Sequence, residues 1–257
     1  MKVIILAGGY GTRLGSLTDL IPKPMIEIGG RPILWHIMKI YAHYGCNEFV
    51  LCLGYKGSVI KDYFYHFNNY DSDFTIDLAN DNITHHDTCR ENWKVTLVNT
   101  GLDTLKGGRI KRVEKYLDPG VNMLTYGDGV ADIDIDKLLD FHRSHEKTVT
   151  ITGVKPPSLF GEIIEEKGKV ITFEEKPQTS KGLINGGFIV FDRKMLDYFT
   201  TGKDCDFEFG GLEQLAKEDQ VMTYKHEGFW ECADTVRDIE HLNKLWNEGK
   251  ASWKVWP

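Results

Sequence analysis

A chain of 257 residues carries only five cysteines, and none stands in a Cys-x-x-Cys spacing. Cys46, Cys52, Cys89, Cys205 and Cys232 form an odd, dispersed set. That excludes a disulfide frame or a structural zinc site and is the pattern of free thiols in a reducing compartment. Also missing is any apolar run as long as a membrane span. The opening, Met1-Lys2 and then five apolar residues before the first glycines, is too short for a signal-peptide core. Basic excess is absent as well. The formal net charge is -7, whereas non-specific binding to nucleic acid or an anionic membrane needs basic patches. These absences predict a cytoplasmic protein that meets neither nucleic acid nor membrane. No repeat, linker or low-complexity segment interrupts the chain. The expected organisation is one domain, with a first lobe over 1–146, a second over 147–240 and a tail over 241–257.

What the sequence does have is a glycine-rich stretch directly after a short apolar run. Val3-Ile4-Ile5-Leu6 reads as a buried first strand, followed by Ala7, Gly8, Gly9, Tyr10, Gly11, Thr12, Arg13 and Leu14. Glycines let the backbone approach a ligand closely, and consecutive N–H groups in such a turn suit an anion. Thr12 adds a hydroxyl, and Arg13 offers planar donors that match phosphate oxygens. A Walker loop would need Gly-Lys-Ser/Thr here, and a dinucleotide fingerprint would need a small residue where Leu14 stands. Downstream, Lys23 sits between Pro22 and Pro24, on a segment stiff enough to aim its ammonium. Loop, arginine and lysine together predict a nucleoside triphosphate cradle.

Strand and helix patterns alternate along the first half. Helices are predicted over Arg31–Tyr44, from Gly57 through Tyr63, from the Gly107-Gly108-Arg109 loop to Tyr116, and over Asp132–His145. Strands are predicted over Glu48–Leu53, Trp93–Val98 and Asn122–Tyr126, with residues 68–92 polar and irregular. This alternation indicates an α/β fold with a mostly parallel sheet and helices on its faces. Later come a strand at Thr148–Ile151 and a hairpin of Gly161–Ile164 with Val170–Phe173. Leu183–Phe191 reads as a strand interrupted at Gly186-Gly187, and Val221–Lys225 as another. Helices are expected over Glu208–Lys217 and Thr235–Trp246. His142 and His145 have a spacing that suggests a metal, but without a third ligand they are read as a solvated helix face.

Ligands of parallel α/β sheets bind beyond the carboxyl ends of strands. Asp128, between Gly127 and Gly129 at such an end, is placed to hold Mg²⁺ near a polyphosphate, with an Asx turn as the alternative. Asp234, entering the last helix, reads by itself as an N-cap. Glu175 and Lys176, the latter stiffened by Pro177, lie near Asn185 and Gly186 in sequence. Carboxylate, ammonium and amide can bind sugar hydroxyls and a phosphate; the alternative is surface charge.

These motifs together, Leu-Ala-Gly-Gly-x-Gly-Thr-Arg-Leu, Pro22-Lys23-Pro24, Gly127-Asp128-Gly129, Glu175-Lys176-Pro177 and Asn185-Gly186-Gly187, resemble the sugar-phosphate nucleotidylyltransferases. Further stretches are similar to the glucose-1-phosphate cytidylyltransferases within that family. They are Gly30-Arg31-Pro32-Ile33-Leu34-Trp35-His36, Gly54-Tyr55-Lys56-Gly57, Thr125 to Asp132 and Gly249 to Lys254. The resemblance implies a Rossmann-like, mostly parallel mixed sheet with a smaller β-rich sugar-binding lobe, the nucleotide-diphospho-sugar transferase type. It implies transfer from CTP to glucose 1-phosphate, giving CDP-glucose and pyrophosphate. On these residues it implies that Leu6 to Arg13, Lys23, Thr104, Arg109 and Gly127 hold CTP. Arg13, Lys23 and Asp128 would carry catalysis, with Asp128 and Asp234 holding Mg²⁺. Glu175, Lys176, Asn185 and Gly186 would receive the sugar 1-phosphate. The product would feed nucleotide-sugar synthesis for surface polysaccharide such as O-antigen. Relatives of this kind form oligomers, and Trp246, Trp253, Val255 and Trp256 supply apolar surface that a second copy, or the chain's own domain, would cover. The chain departs from the pattern at Leu159, where relatives commonly have arginine, and across Asp204–Gly211.

Overall fold

The computed structural model describes residues 1–86, 91–155, 162–166, 168–174 and 182–257. Its centre is an eight-stranded sheet. The strands, in chain order, are β1 (Lys2–Ala7), β2 (Glu48–Leu53), β3 (Lys94–Asn99), β4 (Val121–Tyr126), β5 (Val149–Val154), β6 (Ile184–Asn185), β7 (Ile189–Asp192) and β8 (Val221–His226). Across the sheet they run β6-β5-β7-β4-β1-β2-β3, with β8 on the other side of β5. β1 pairs in parallel with both β2 and β4, and β2 with β3. β7 runs antiparallel between β4 and β5, and β8 lies parallel to β5. The expected mostly parallel, mixed sheet is the one observed.

Burial explains why these strands form. Val3, Ile4, Ile5 and Phe49 through Leu53 are all buried, as is usual for parallel strands covered on both faces. Helix α1 (Ile33–His43) turns Ile33, Leu34, Ile37, Met38, Ile40 and Tyr41 into the core. It stops at Gly45, whose φ of 78° few other residues tolerate. There Cys46 N–H reaches the Tyr41 carbonyl and Gly45 N–H that of Ala42, closing the helix end. Helices α2 (Gly57–Tyr65), α3 (Lys106–Arg112), α4 (Ile135–Arg143) and α5 (Val236–Asn247) complete the frame used below.

Three readings are corrected. Residues 68–92 are not wholly irregular: Phe74–Asp77 and Asn82–His85 form an antiparallel hairpin. Its two strands carry mostly exposed residues, so no alternation of polarity marked them. The helix expected over Glu208–Lys217 is regular only from Glu213; before it, backbone angles at Phe209 and Gly210 break the turn. His142 and His145 do not form a solvated face. His142 is buried, and both imidazoles contact the Thr150 hydroxyl at 2.8 Å.

The C-terminal tryptophans are covered by their own chain. Trp253 is fully buried, and Trp256 stacks edge-on against Trp35 of α1. His36 lies in their midst, 4.7 Å from the Trp246 ring. Its Nε2 donates to the Ile28 carbonyl at 2.8 Å, leaving Nδ1 to accept from Trp253 Nε1–H at 3.3 Å. Gly29 is held at φ 59° under Trp246, where a Cβ would collide with the indole. No described helix is long and apolar enough to cross a membrane.

Burial lowers the His36 pKa to about 4, so the folded protein keeps this imidazole neutral. The unfolded chain, at about 6.5, takes up the proton first. Stability is therefore complete above about pH 6.5 and falls as the pH drops towards 4. Between pH 7 and 4.5 this group costs on the order of 2–3 kcal/mol. Denaturant melts of His36→Gln should show lower stability at pH 7 but a shallower loss on acidification. An equally steep loss in the variant would remove His36 as the cause.

Candidate active site

A cleft of about 550 Å³ opens where β1 and β4 end. Leu6 through Leu14 form one wall, Leu102–Lys106 with Arg109 another, and Lys23, Tyr126, Gly127, Asp128 and Asp234 the floor. The loop after β1 has tight constraints. A Cβ at Gly8 would meet the Arg109 guanidinium at 2.2 Å, and Gly11 sits at φ 67° against Thr18. Gly9, Thr12 and Arg13 remain exposed along the cleft. Gly127 packs its α-carbon against Pro24 and donates its N–H to Leu6.

The two acids are brought together by a short ladder. Gly129–Ala131 pairs antiparallel with Trp230–Cys232, placing Gly129 opposite Cys232. Ala233 N–H then donates to the Asp128 carbonyl at 2.9 Å. Asp128 and Asp234 thus stand side by side at the ladder's end, beyond β4. The N-cap of α5 is Thr235, which forms a capping box with Asp238. Asp234 is not the cap, and its carboxylate is free to face the cleft.

Between the acids sits Lys23. Pro22 and Pro24 hold it in a single tight turn, with Met25 N–H bonded back to the Pro22 carbonyl. Its Nζ lies 2.5 Å from Asp128 Oδ2 and 2.5 Å from Asp234 Oδ1. Arg13 adds a contact to Asp234 Oδ2 at 3.0 Å from the exposed side. Burial opposes the Lys23 charge, but the carboxylates, Asp128 foremost, outweigh it and raise the pKa. Burial likewise works against the Asp234 charge, and Lys23 with Arg13 pulls its pKa down regardless. Lys23 and Asp234 are therefore each held in the charged form.

This donor set fits Mg²⁺. Two hard carboxylate oxygens converge on a point that already accommodates a cation, and the geometry admits further oxygen ligands from the open cleft. Among the described residues no group of three or more His, Cys, Asp or Glu gathers into a metal cage. A metal here would depend on phosphate oxygens and water to complete its shell, which is the habit of Mg²⁺.

Arg109 and Thr104 reach the cleft wall, but their polar groups are engaged by the protein. Arg109 donates to the carbonyls of Gly8, Leu53, Gly101 and Leu102 and to the Thr100 hydroxyl, at 2.7 to 3.1 Å. The Thr104 hydroxyl accepts from Arg112. Arg109 thereby ties the glycine loop to the opposite wall. Tyr10 makes a second tie, donating to Asp103 at 2.6 Å.

A nucleotidyl transferase family model matches residues 2–248. The chain is 46% identical to the glucose-1-phosphate cytidylyltransferase of Salmonella typhi over the whole length of both. HddC from Yersinia pseudotuberculosis, solved with GMP-PN, superposes at a TM-score of 0.70 with 24% identity, covering 95% of this chain and 99% of that one. The inositol-1-phosphate CTP transferase of T. maritima superposes at 0.66 with 15% identity, covering 100% and 98%.

The chain belongs to the nucleotidyl transferase family.

The acceptor is expected beside Asn185 and Gly186, which border the cleft at its lining residue Tyr126. Asn185 ends β6, its Nδ2 donating to Tyr126 Oη at 2.9 Å and its Oδ1 accepting from Gly187 N–H at 3.0 Å. Gly186 is buried, and its carbonyl accepts from Trp230 Nε1–H. Glu175 and Lys176, expected to bind the sugar phosphate, lie outside the described residues, as does Leu159. Sequence reasoning passed over Asp103, Lys106 and Tyr126, which line the cleft, and Glu208 beside them. Glu208 reaches Tyr126 and Lys106 from the segment that departs from the family pattern.

Proposed function

We propose that this protein transfers the cytidylyl group of CTP to α-D-glucose 1-phosphate, releasing pyrophosphate. The observation that carries the reaction class is the convergence of Lys23, Asp128 and Asp234 on one point beside the glycine-rich loop. Full-length identity of 46% to a glucose-1-phosphate cytidylyltransferase supports the choice of nucleotide and acceptor. On this reading a sugar-phosphate oxygen attacks the α-phosphorus in line. A new P–O bond forms, and the bond to the leaving pyrophosphate breaks. The second pKa of a phosphate monoester is near ~6, so the nucleophile is already anionic at neutral pH. No side chain has to remove a proton.

What remains for the protein is alignment and charge. The glycine loop admits the polyphosphate against backbone N–H groups. Lys23, held by its prolines, presents an ammonium to charge that grows on the α-phosphate, and Arg13 covers the outer oxygens. Mg²⁺ held by Asp128 and Asp234 would neutralise phosphate charge as a Lewis acid. Arg109 keeps the two walls at a fixed separation, so that the bound nucleotide meets its acceptor in register. The same reading makes the protein a cytoplasmic enzyme acting on soluble substrates; a homo-oligomer is supported by the family resemblance alone, since the C-terminal tryptophans are covered by their own chain.

Pyrophosphate release with CTP and Mg²⁺ tests this directly. Fast release is expected with glucose 1-phosphate and none without an acceptor. Release only with a different phosphorylated acceptor would keep the mechanism and reassign the acceptor lobe. No release with any acceptor would leave a sugar-nucleotide sensor that retains the fold.

A further inference from the structure

The segment before the short helix Glu213–Lys217, residues 203–211, is stitched to the cleft wall. Leu105 N–H donates to the Lys203 carbonyl, and Gly108 N–H to that of Cys205. Gly107 lies so close that a Cβ there would sit 2.6 Å from the Asp206 carbonyl oxygen. Phe207 is fully buried, and Asp206 Oδ1 accepts from Glu208 N–H and Phe209 N–H. Gly210 then turns the chain at φ 115°. This irregular path aims the Glu208 carboxylate inward, where a continuous helix would not.

Two residues of the cleft converge on one oxygen of that carboxylate. Tyr126 Oη–H donates to Glu208 Oε1 at 2.9 Å, and Lys106 Nζ contacts the same atom while lying over the Tyr126 ring. An ionised carboxylate only accepts, so the Tyr126 hydroxyl must donate to it and turn its lone pairs elsewhere. Asn185 offers its Nδ2–H to a lone pair of Tyr126, and its Oδ1 accepts from Gly187 N–H. Gly187 sets which way round the amide sits, and Glu208, by fixing the Tyr126 hydroxyl, anchors its Nδ2 end. One N–H and one lone pair of that amide stay uncommitted by these bonds. A donor and an acceptor side by side are what a sugar hydroxyl pair requires.

We propose that Glu208 is a positioning residue for the phosphorylated acceptor, acting through Tyr126 to anchor the Asn185 amide in place. The proposal rests on the reading above that the sugar phosphate is received beside Asn185 and Gly186. It also gives the departure at Asp204–Gly211 a function: the segment exists to deliver this carboxylate.

Steady-state kinetics on Glu208→Ala, Glu208→Gln, Tyr126→Phe and the double variant test it. Glu208→Ala should raise the KM for glucose 1-phosphate about tenfold, the loss of roughly one well-aligned hydrogen bond. The KM for CTP should stay within about twofold. Glu208→Gln retains an acceptor for Tyr126 and should recover most of the acceptor affinity. Because one chain of bonds is broken in each case, Glu208→Ala and Tyr126→Phe should not multiply when combined. Equal rises in both KM values, an unchanged acceptor KM in an active Glu208→Ala, or fully multiplicative effects would overturn the proposal and leave the functional reading standing. Silence of the unmodified protein with every acceptor would overturn that reading, and this proposal with it.

Discussion

Lys23→Ala is expected to lower kcat by about 10²–10³-fold while the KM for CTP stays within about threefold. The split follows from where the ammonium is. Its side chain is only 12% exposed, so its field is weakly screened by water. Its backbone is pinned by a proline on either side, leaving only the side chain free to move. Such a charge contributes most where negative charge builds up, at the phosphorus under attack, and less to holding a triphosphate that, on the proposed reading, the glycine loop and Arg13 would also contact. Lys23→Arg should not restore turnover, because a planar fork cannot occupy a gap in which one nitrogen meets two carboxylate oxygens at 2.5 Å. Turnover of either variant within threefold of the parent protein would sink the catalytic role. The alanine variant has a second signature. It leaves Asp128 and Asp234 facing each other, so its melting temperature should fall and should recover when Mg²⁺ is added.

Much of this arrangement was legible in the residues. Buried runs such as Glu48–Leu53 and the spacing of Ile33, Leu34, Ile37, Met38 and Tyr41 predicted their strand and helix because burial itself produces the pattern. Lys23 was legible because prolines on both sides have few other uses. Asp234 was not. An acid that faces the cleft and an N-cap look alike when they stand one residue apart, and only the structure assigns the cap to Thr235. The hairpin at Phe74–His85 left no trace because its strands are exposed, and period-two patterning requires one dry face. Glu208 escaped for a related reason: a single carboxylate in an irregular segment has no motif. Its one signal was that Asp204–Gly211 departed from the family pattern. The break at Phe209–Gly210 that directs it follows an Asp206 cap.

Chelating divalent metal should reduce turnover to about 1% or less of its full rate, yet move the melting temperature by no more than about 1 °C. These two results would conflict in a protein with a structural metal, where removing the ion unpairs its ligands. Here the two acids have protein partners of their own. Lys23 bridges Asp128 and Asp234, and Arg13 pairs with Asp234 on the outer side, so two cations face two carboxylates. An incoming Mg²⁺ must compete with an ammonium for both carboxylates, and the protein supplies it with two acids. Mg²⁺ alone should therefore stabilise the protein little, whereas Mg²⁺ with CTP should stabilise it markedly, because the phosphates complete the shell and give Lys23 a new partner. Asp128→Asn and Asp234→Asn should each raise the Mg²⁺ concentration for half-maximal turnover by at least about tenfold. A clear fall in melting temperature when the unmodified protein is chelated would contradict this account. It would mean that Lys23 and Arg13 do not balance the two acids, and that the metal belongs to the fold rather than arriving with the nucleotide.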